Sequence, residues 1–457
     1  MSGPLLDARG IEVLDFERIR ERLAGRTHAA KAARRALALE PATDFAEVRR
    51  LCAETGEMRV LLQDGFGLAR IAEVDEALAS AGRGLPLSPF DLRAIADALA
   101  ACAAAARGIR EAEGTARLRE RIANLRALPQ VVARIVDAID ERGTVLDRAS
   151  PALARIRRGI AAAQDAARER AQALVRSARY SRAVQDAIVT VRDGRFVVPI
   201  KAEFQADVPG IVHDASASGQ TLFIEPLETL EANNRLRALR MQEEHEVARI
   251  LADLSTLAGG QAAQIGVNIA LYVELDLAVA RAARANASDA GAPELSDDAV
   301  IDIQSGRHPL LDGRAVPQSL RLDGQTRLLL ISGPNMGGKT VTLKLVGLFV
   351  AMAGCGMHLP AAAATIGRFG RIYTDIGDEQ SIALNASTFS AHLQRLAEIV
   401  AGADARTLIL IDEIGAGTEP GAGAALAVAV LERFIAAGAR VVATTHATEL
   451  KLFGAQQ

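Results

Sequence analysis

Apolar residues recur three and four apart through the first third of the chain, as at Leu14, Ile19 and Leu23, and turn-rich clusters such as residues 82–89 separate these stretches. That pattern predicts helical hairpins over residues 1–145. From Pro151 the apolar positions tighten into the seam of a coiled coil, Leu153, Ile156, Ile160, Ala163 and Ala167, expected to run to about Gln185. The period then changes. Residues 188–191 and 196–200 are β-branched or aromatic runs joined by Arg192, Asp193, Gly194 and Arg195, a hairpin signal. Residues 210–213 and 221–225 read as two further strands, and Pro199, lacking an amide donor, places its strand at an edge or bulge. After Pro226 the helical period returns, with Leu236, Leu239, Val247, Ile250, Leu254 and Leu257 near heptad spacing. Such a helix of about 30 residues is a rod of ~45 Å. Residues 146–285 are thus expected to form an arm of two opposed helical rods with a β-rich tip at 187–226.

Residues 345–367 contain no Asp, Glu, Lys or Arg and are long enough to span a bilayer. Gly354, Gly356, His358 and Pro360 interrupt them near the middle, so a buried helix followed by a break is expected and no membrane partner.

Length and composition sharpen the picture. With 457 residues, half of them apolar and a quarter charged, the chain has enough sequence for about three domains and excludes general disorder. Aromatics are scarce and alanine abundant, which favours helix over a β-sandwich. Net charge is −3, so the whole chain is no polycation and any nucleic-acid contact must be local. The bias sits in the arm, where residues 151–200 hold ten arginines against four carboxylates. A solvated coiled-coil face explains that. A phosphate-gripping tip explains it too, with Arg179, Arg182, Arg192, Arg195 and Lys201 as candidates. Cys52, Cys102 and Cys355 lie far apart, and the seven histidines lack metal-ligand spacing. With no leader visible at the start, a reducing cytoplasm is expected.

The chemistry is concentrated late in the chain. A short apolar strand over 327–332 runs into Gly333-Pro334-Asn335-Met336-Gly337-Gly338-Lys339-Thr340, a complete GxxxxGK[ST] phosphate loop. Its glycines admit backbone N–H groups to phosphate oxygens, Lys339 reaches the β and γ oxygens, and Thr340 offers a hydroxyl to Mg²⁺. A second strand, 407–411, ends in Asp412 and Glu413. Asp412 suits Mg²⁺, and Glu413 suits activation of water, which favours hydrolysis over mere binding of ATP. A third, 440–445, ends at His446, placed either to sense a γ-phosphate or simply to cap the strand. Asn385, Ser387, Thr388, Phe389 and Ser390 precede a helical stretch at 392–400. Hydroxyls there suit either an anion or a plain N-cap. The predicted fold class is multidomain: a mostly α core and coiled-coil lever with a small β-rich clamp, plus an α/β P-loop ATPase domain of ABC type over 286–457.

Gly333 to Thr340, Ser387 to Ser390, 411–417 with Thr418, and Thr444 to His446 resemble the ATPase domain of the MutS family. Arg307-His308-Pro309 looks like the family's short motif just upstream, which puts His308 among the nucleotide contacts. Residues 196–201, 209–218 and 219–226, followed by Asn233 and Asn234, resemble the clamp and returning lever of the second bacterial branch, the recombination-suppressing proteins with an Smr tail. The first residues run straight into helical core, without mismatch-recognition domains, so mismatch reading is not expected. The resemblance implies a homodimeric ATPase using ATP and Mg²⁺, with the signature residues Asn385, Ser387, Thr388 and Ser390 completing the neighbouring subunit's site. It implies branched DNA as partner and suppression of homologous recombination. An alternative role, splitting collided ribosomes through contacts to ribosomal RNA, is also implied, and a non-catalytic nucleotide-dependent module is a third possibility. The family's dimerisation segment, linker and Smr nuclease domain are expected beyond Gln457, so nuclease activity is not expected of these residues.

Overall fold

The computed structural model describes residues 4–456 except 312, 314, 334–337, 378–384 and 417, with backbone alone at 385–391 and 455–456. Backbone proximity divides the chain into two compact units, each assembled from separate stretches. One comprises residues 74–100 and 127–266, the other 1–73, 101–126 and 267–457.

In the 74–266 unit, the helix Pro151–Val175 starts where the sequence demands it. Ser150 caps it, accepting from the Leu153 amide at 3.0 Å while its hydroxyl donates to Glu246 at 2.6 Å, and proline occupies the first turn. The returning helix is Leu227–Gly259. Ala163, Ala167 and Ala171 share a buried cluster with Ala232 and Leu236, small side chains that let two helix backbones approach closely. The first helix stops at Val175, well short of the predicted Gln185. The reason is tertiary: the polar segment that follows turns so that Tyr180 is buried and its hydroxyl donates to Glu228 at 3.2 Å.

The tip is an antiparallel sheet of β1 (Thr190–Arg192), β2 (Arg195–Lys201), β3 (Gly210–Ala215) and β4 (Thr221–Pro226), in the order β1-β2-β4-β3. Asp193 (φ 46°) and Gly194 (φ 74°) turn β1 into β2, the two positive φ values a right-twisted two-residue hairpin requires. The expectation that Pro199 lies in an edge strand is corrected, because β2 has neighbours on both sides. β1 pairs only with Arg195, Phe196 and Val197, and beyond it the Pro199 carbonyl accepts from the Gln185 amide at 2.9 Å. The missing N–H therefore faces an irregular segment and removes no bond from the β2–β4 ladder.

The other unit carries eight described strands: β5 (Glu294–Ser296), β6 (Ile301–Gly306), β7 (Gln318–Leu322), β8 (Leu328–Ser332), β9 (Ala363–Gly367), β10 (Arg371–Asp375), β11 (Thr407–Ile411) and β12 (Arg440–Thr445). β10-β11-β12-β8 form an all-parallel sheet, and β5-β9-β6-β7 a mixed one. Thr-Leu-Ile-Leu-Ile of β11 is buried throughout, as expected of a parallel strand covered on both faces. The helix Lys339–Gly354 follows β8 and is buried along nearly its whole length. It ends at Gly354, turns through Gly356 (φ 71°), and the chain continues into β9, so residues 345–367 form no continuous span. Among the described residues, Ala262–Ala287 is the one helix long and apolar enough to cross a membrane, and 56% of that window is buried inside the protein.

Candidate nucleotide-binding site

Parallel strands deliver their carboxyl ends to one edge of a sheet, and β8, β11 and β12 lead to Gly333, Asp412 and His446 respectively. Gly338 takes the left-handed backbone (φ 77°) that turns the loop into the helix opening with Lys339 and Thr340. The Thr340 hydroxyl donates to Asp412 Oδ2 at 2.7 Å, bringing the phosphate loop and the acidic strand into direct contact. Lys339 is buried, and its ammonium donates to the Gly333 carbonyl and to His446 Nε2, both at 2.7 Å. The His446 Nε2 lies 3.7 Å from Glu413 Oε1. Pro334, Asn335, Met336 and Gly337 lie outside the described residues.

Thr444 organises the two acids. Its hydroxyl donates to Asp412 Oδ1 and accepts from the Glu413 amide at 2.7 Å. Glu413 is held at φ 51°, a left-handed conformation uncommon for a residue with a side chain, while its carboxylate stays 26% exposed. One hydroxyl thereby fixes the first carboxylate and the backbone of the second. The residue types fit a magnesium nucleotide. Thr340 and Asp412 are hard oxygen donors already within hydrogen-bond reach of each other, and Lys339 sits at a helix N-terminus where phosphate is favoured. Mg²⁺ held there by Thr340 and Asp412 would supply charge neutralisation to phosphate oxygens.

His308 is buried, its Nδ1 accepting from the Leu310 amide at 3.3 Å and its Nε2 without a partner among the described residues. Burial and the nearby Lys344 ammonium push its pKa down to about 4, so it is neutral near pH 7. No thiol competes as a nucleophile: burial pushes Cys52, Cys102 and Cys355 up to about 12. Among the described residues no group of three or more His, Cys, Asp or Glu could hold a metal ion.

The profile of MutS domain V matches residues 329–457, the stretch that holds the phosphate loop, Asp412, Glu413 and His446. Along almost the whole chain, 98% of it, the sequence is 44% identical to an endonuclease MutS2 of Symbiobacterium thermophilum and 43% identical to one of Pelotomaculum thermopropionicum. A Thermomicrobium roseum endonuclease MutS2 is 42% identical over 97% of the chain. The chain belongs to the MutS2 branch of the MutS family. It spans 57% to 58% of the length of these relatives.

In this MutS2-family chain the helix predicted from His392 begins at Asn385 and runs to Gly402, so Asn385, Ser387, Thr388 and Ser390 lie in its opening turns. Their side chains are outside the described residues. Two of the five arginine and lysine candidates at the tip are engaged elsewhere. Arg195 was expected to be available for phosphate, yet its guanidinium donates twice to Glu225, at 2.7 and 2.9 Å, and once to Asn234 at 3.0 Å. Glu225 is fully buried and also meets His213 Nε2 at 2.7 Å and the Asn233 amide at 2.8 Å, so Arg195 is an internal strut. Arg192 pairs with Asp214 at 3.0 Å and lies over the Phe223 ring. Arg179 and Arg182 are exposed, the former over Tyr180, and Lys201 lies 6.0 Å from the Phe204 ring.

The sequence reading assigned no role to Thr444, although a hydroxyl at the end of the strand beside Asp412 is a usable signal. Residues 1–145 were predicted only as helical hairpins, with no site residue among them. Asp7, Arg9 and Asp15 nonetheless reach Arg395, Asp375 and Lys344, at separations of more than 300 residues that no local pattern can reveal.

Proposed function

We propose that this chain is the ATP-binding and ATP-hydrolysing part of a nucleic-acid clamp. The observation that carries the reading is the contact between the Thr340 hydroxyl and Asp412, with Lys339, Glu413 and His446 gathered around it. Lys339 and the helix N-terminus bind and orient the phosphates. Thr340 and Asp412 hold Mg²⁺. Glu413, held by Thr444 with its carboxylate still partly exposed, accepts a proton from the attacking water, while His446 sits within reach of the γ-phosphate and passes its arrival to Lys339 and Glu413. The Ser387–Ser390 turns of a second copy complete the site, so turnover belongs to a homodimer in the cytoplasm.

The target we infer is branched DNA, gripped through Arg179, Arg182 and Lys201, with restraint of homologous recombination as the outcome. The arginine excess of residues 151–200 supports a nucleic-acid partner. The relatives are called endonucleases, and nuclease chemistry is not part of this proposal for these residues. Titration of a fluorescent ATP analogue with Mg²⁺, followed by steady-state turnover with and without four-way DNA junctions, tests the reading. Saturable binding that Lys339→Ala abolishes, and turnover that rises with protein concentration and with junctions, are expected. Binding unchanged in that variant overturns the site, and stimulation by collided ribosomes in place of junctions moves the target to ribosomal RNA.

A further inference from the structure

Residues 5–15 touch both helices that matter to the proposed site. The Leu5 carbonyl accepts from the Ile372 amide at 2.8 Å, so the segment runs along the outer edge of β10, the terminal strand of the parallel sheet. Asp7 accepts from Arg395 at 2.9 Å, on the helix Asn385–Gly402. Arg9 reaches Asp375 at 3.4 Å. At the other end, Asp15 accepts from Lys344 at 2.7 Å, one turn beyond Thr340 on the phosphate-loop helix. Leu14, fully buried, lies against that helix at Gly347, where a Cβ would come within 2.8 Å of its methyl groups.

Asp375 is the junction. Its carbonyl accepts from the Asp412 amide at 2.9 Å, and its nearly buried carboxylate meets His392 Nδ1 at 2.5 Å as well as Arg9. His392 and Arg395 are three apart, hence on one helix face, and both are anchored: His392 to Asp375, and Arg395 to Asp7 and the Thr374 carbonyl. A helix is stiff, so fixing these two positions fixes the turns that start at Asn385.

We propose that residues 5–15 are a strap that sets the spacing between the phosphate-loop helix and the helix carrying Asn385, Ser387, Thr388 and Ser390, with Asp7, Asp15, Asp375 and Arg395 as positioning residues for ATP hydrolysis. The proposal rests on the nucleotide reading above. The Asp7–Arg395 and Asp15–Lys344 pairs are partly exposed, and pairs of this kind add little to fold stability, so their consequence is sought in geometry.

Arg395→Gln removes the charge, and Arg395→Lys keeps it. In the full chain, Arg395→Gln is expected to lower kcat about tenfold with ATP affinity within about threefold and little change in Tm, and Arg395→Lys to recover most of the loss. Hydrogen exchange supplies a readout independent of turnover. Addition of Mg²⁺ and a non-hydrolysable ATP analogue should slow exchange across 392–402 in the wild type and leave it unchanged in Arg395→Gln. The strap is overturned if Arg395→Gln keeps full kcat, or if the analogue binds the wild type without altering exchange in that helix. Absence of analogue binding to the wild type overturns the nucleotide site itself, a distinct result that removes the strap's purpose with it.

Discussion

The sheet edge around Asp412 and the tip network around Glu225 are built from the same materials, carboxylates held by hydroxyl, amide, guanidinium and imidazole groups. They differ in what is left over. Glu225 is fully buried, and Arg195, His213 and Asn233 converge on its two oxygens. At the sheet edge the Asp412 carboxylate is held by two hydroxyls, the Glu413 backbone is held by Thr444, and the Glu413 side chain remains 26% exposed, 3.7 Å from a half-exposed His446. A satisfied buried carboxylate stabilises a fold. A positioned and partly exposed one is available for chemistry, so residual exposure separates the two better than residue type does.

The contrast breaks most directly at Glu225. Glu225→Ala leaves the Arg195 guanidinium without its carboxylate partner and should cost about 3–5 kcal/mol in urea denaturation, with nucleotide affinity unchanged. A loss below about 1 kcal/mol would show that water replaces the network and that the tip is not held by it. Glu413→Gln should do the reverse, lowering ATP turnover about 10²–10³-fold while the denaturation midpoint and nucleotide affinity stay near wild type. If affinity falls in step with turnover, Glu413 belongs to binding and not to proton transfer.

His308 falls between these extremes, buried yet only half satisfied. Its folded pKa of about 4 lies below the usual 6.5, so between those values the unfolded chain binds more protons and stability rises with pH. Stability should be lost as pH falls from 6.5 toward 4, by on the order of 3 kcal/mol. His308→Asn should flatten that part of the difference between melts at pH 7 and pH 4.5. The smallest effect is at the surface. Replacing Arg179 and Arg182 together by alanine should reduce the slope of log binding constant against log salt for DNA by about 2 without moving Tm. Arg195→Ala should move Tm first, and a pure salt-slope change there would return Arg195 to the list of phosphate contacts.

The parts of this protein written in local code were legible in the sequence. Strand, glycine-rich turn and lysine stand within a dozen residues at 328–339, and the β11 run leads directly to Asp412 and Glu413. The tip strands were legible for the same reason: the β-branched and aromatic runs at 188–191 and 196–200 and the Asp193-Gly194 turn are neighbours in sequence. Where the reading failed, distant residues decided the outcome. The long helix ends at Val175 because Tyr180 finds burial and Glu228 across the unit. Arg195 is withdrawn from the surface by Glu225 and Asn234, 30 and 39 residues away, and the strap meets Arg395 across almost the entire chain. The two compact units are themselves interleaved in sequence, which no linear scan of composition reveals.

Glu413 sits in a backbone conformation that a glycine would adopt at no steric cost. Any pressure toward a tougher protein would therefore find one of its easiest gains, roughly 1 kcal/mol, by discarding the carboxylate at this position. A carboxylate at this position is thus held at a backbone cost, the kind of cost that the proposed role of Glu413 in hydrolysis would repay.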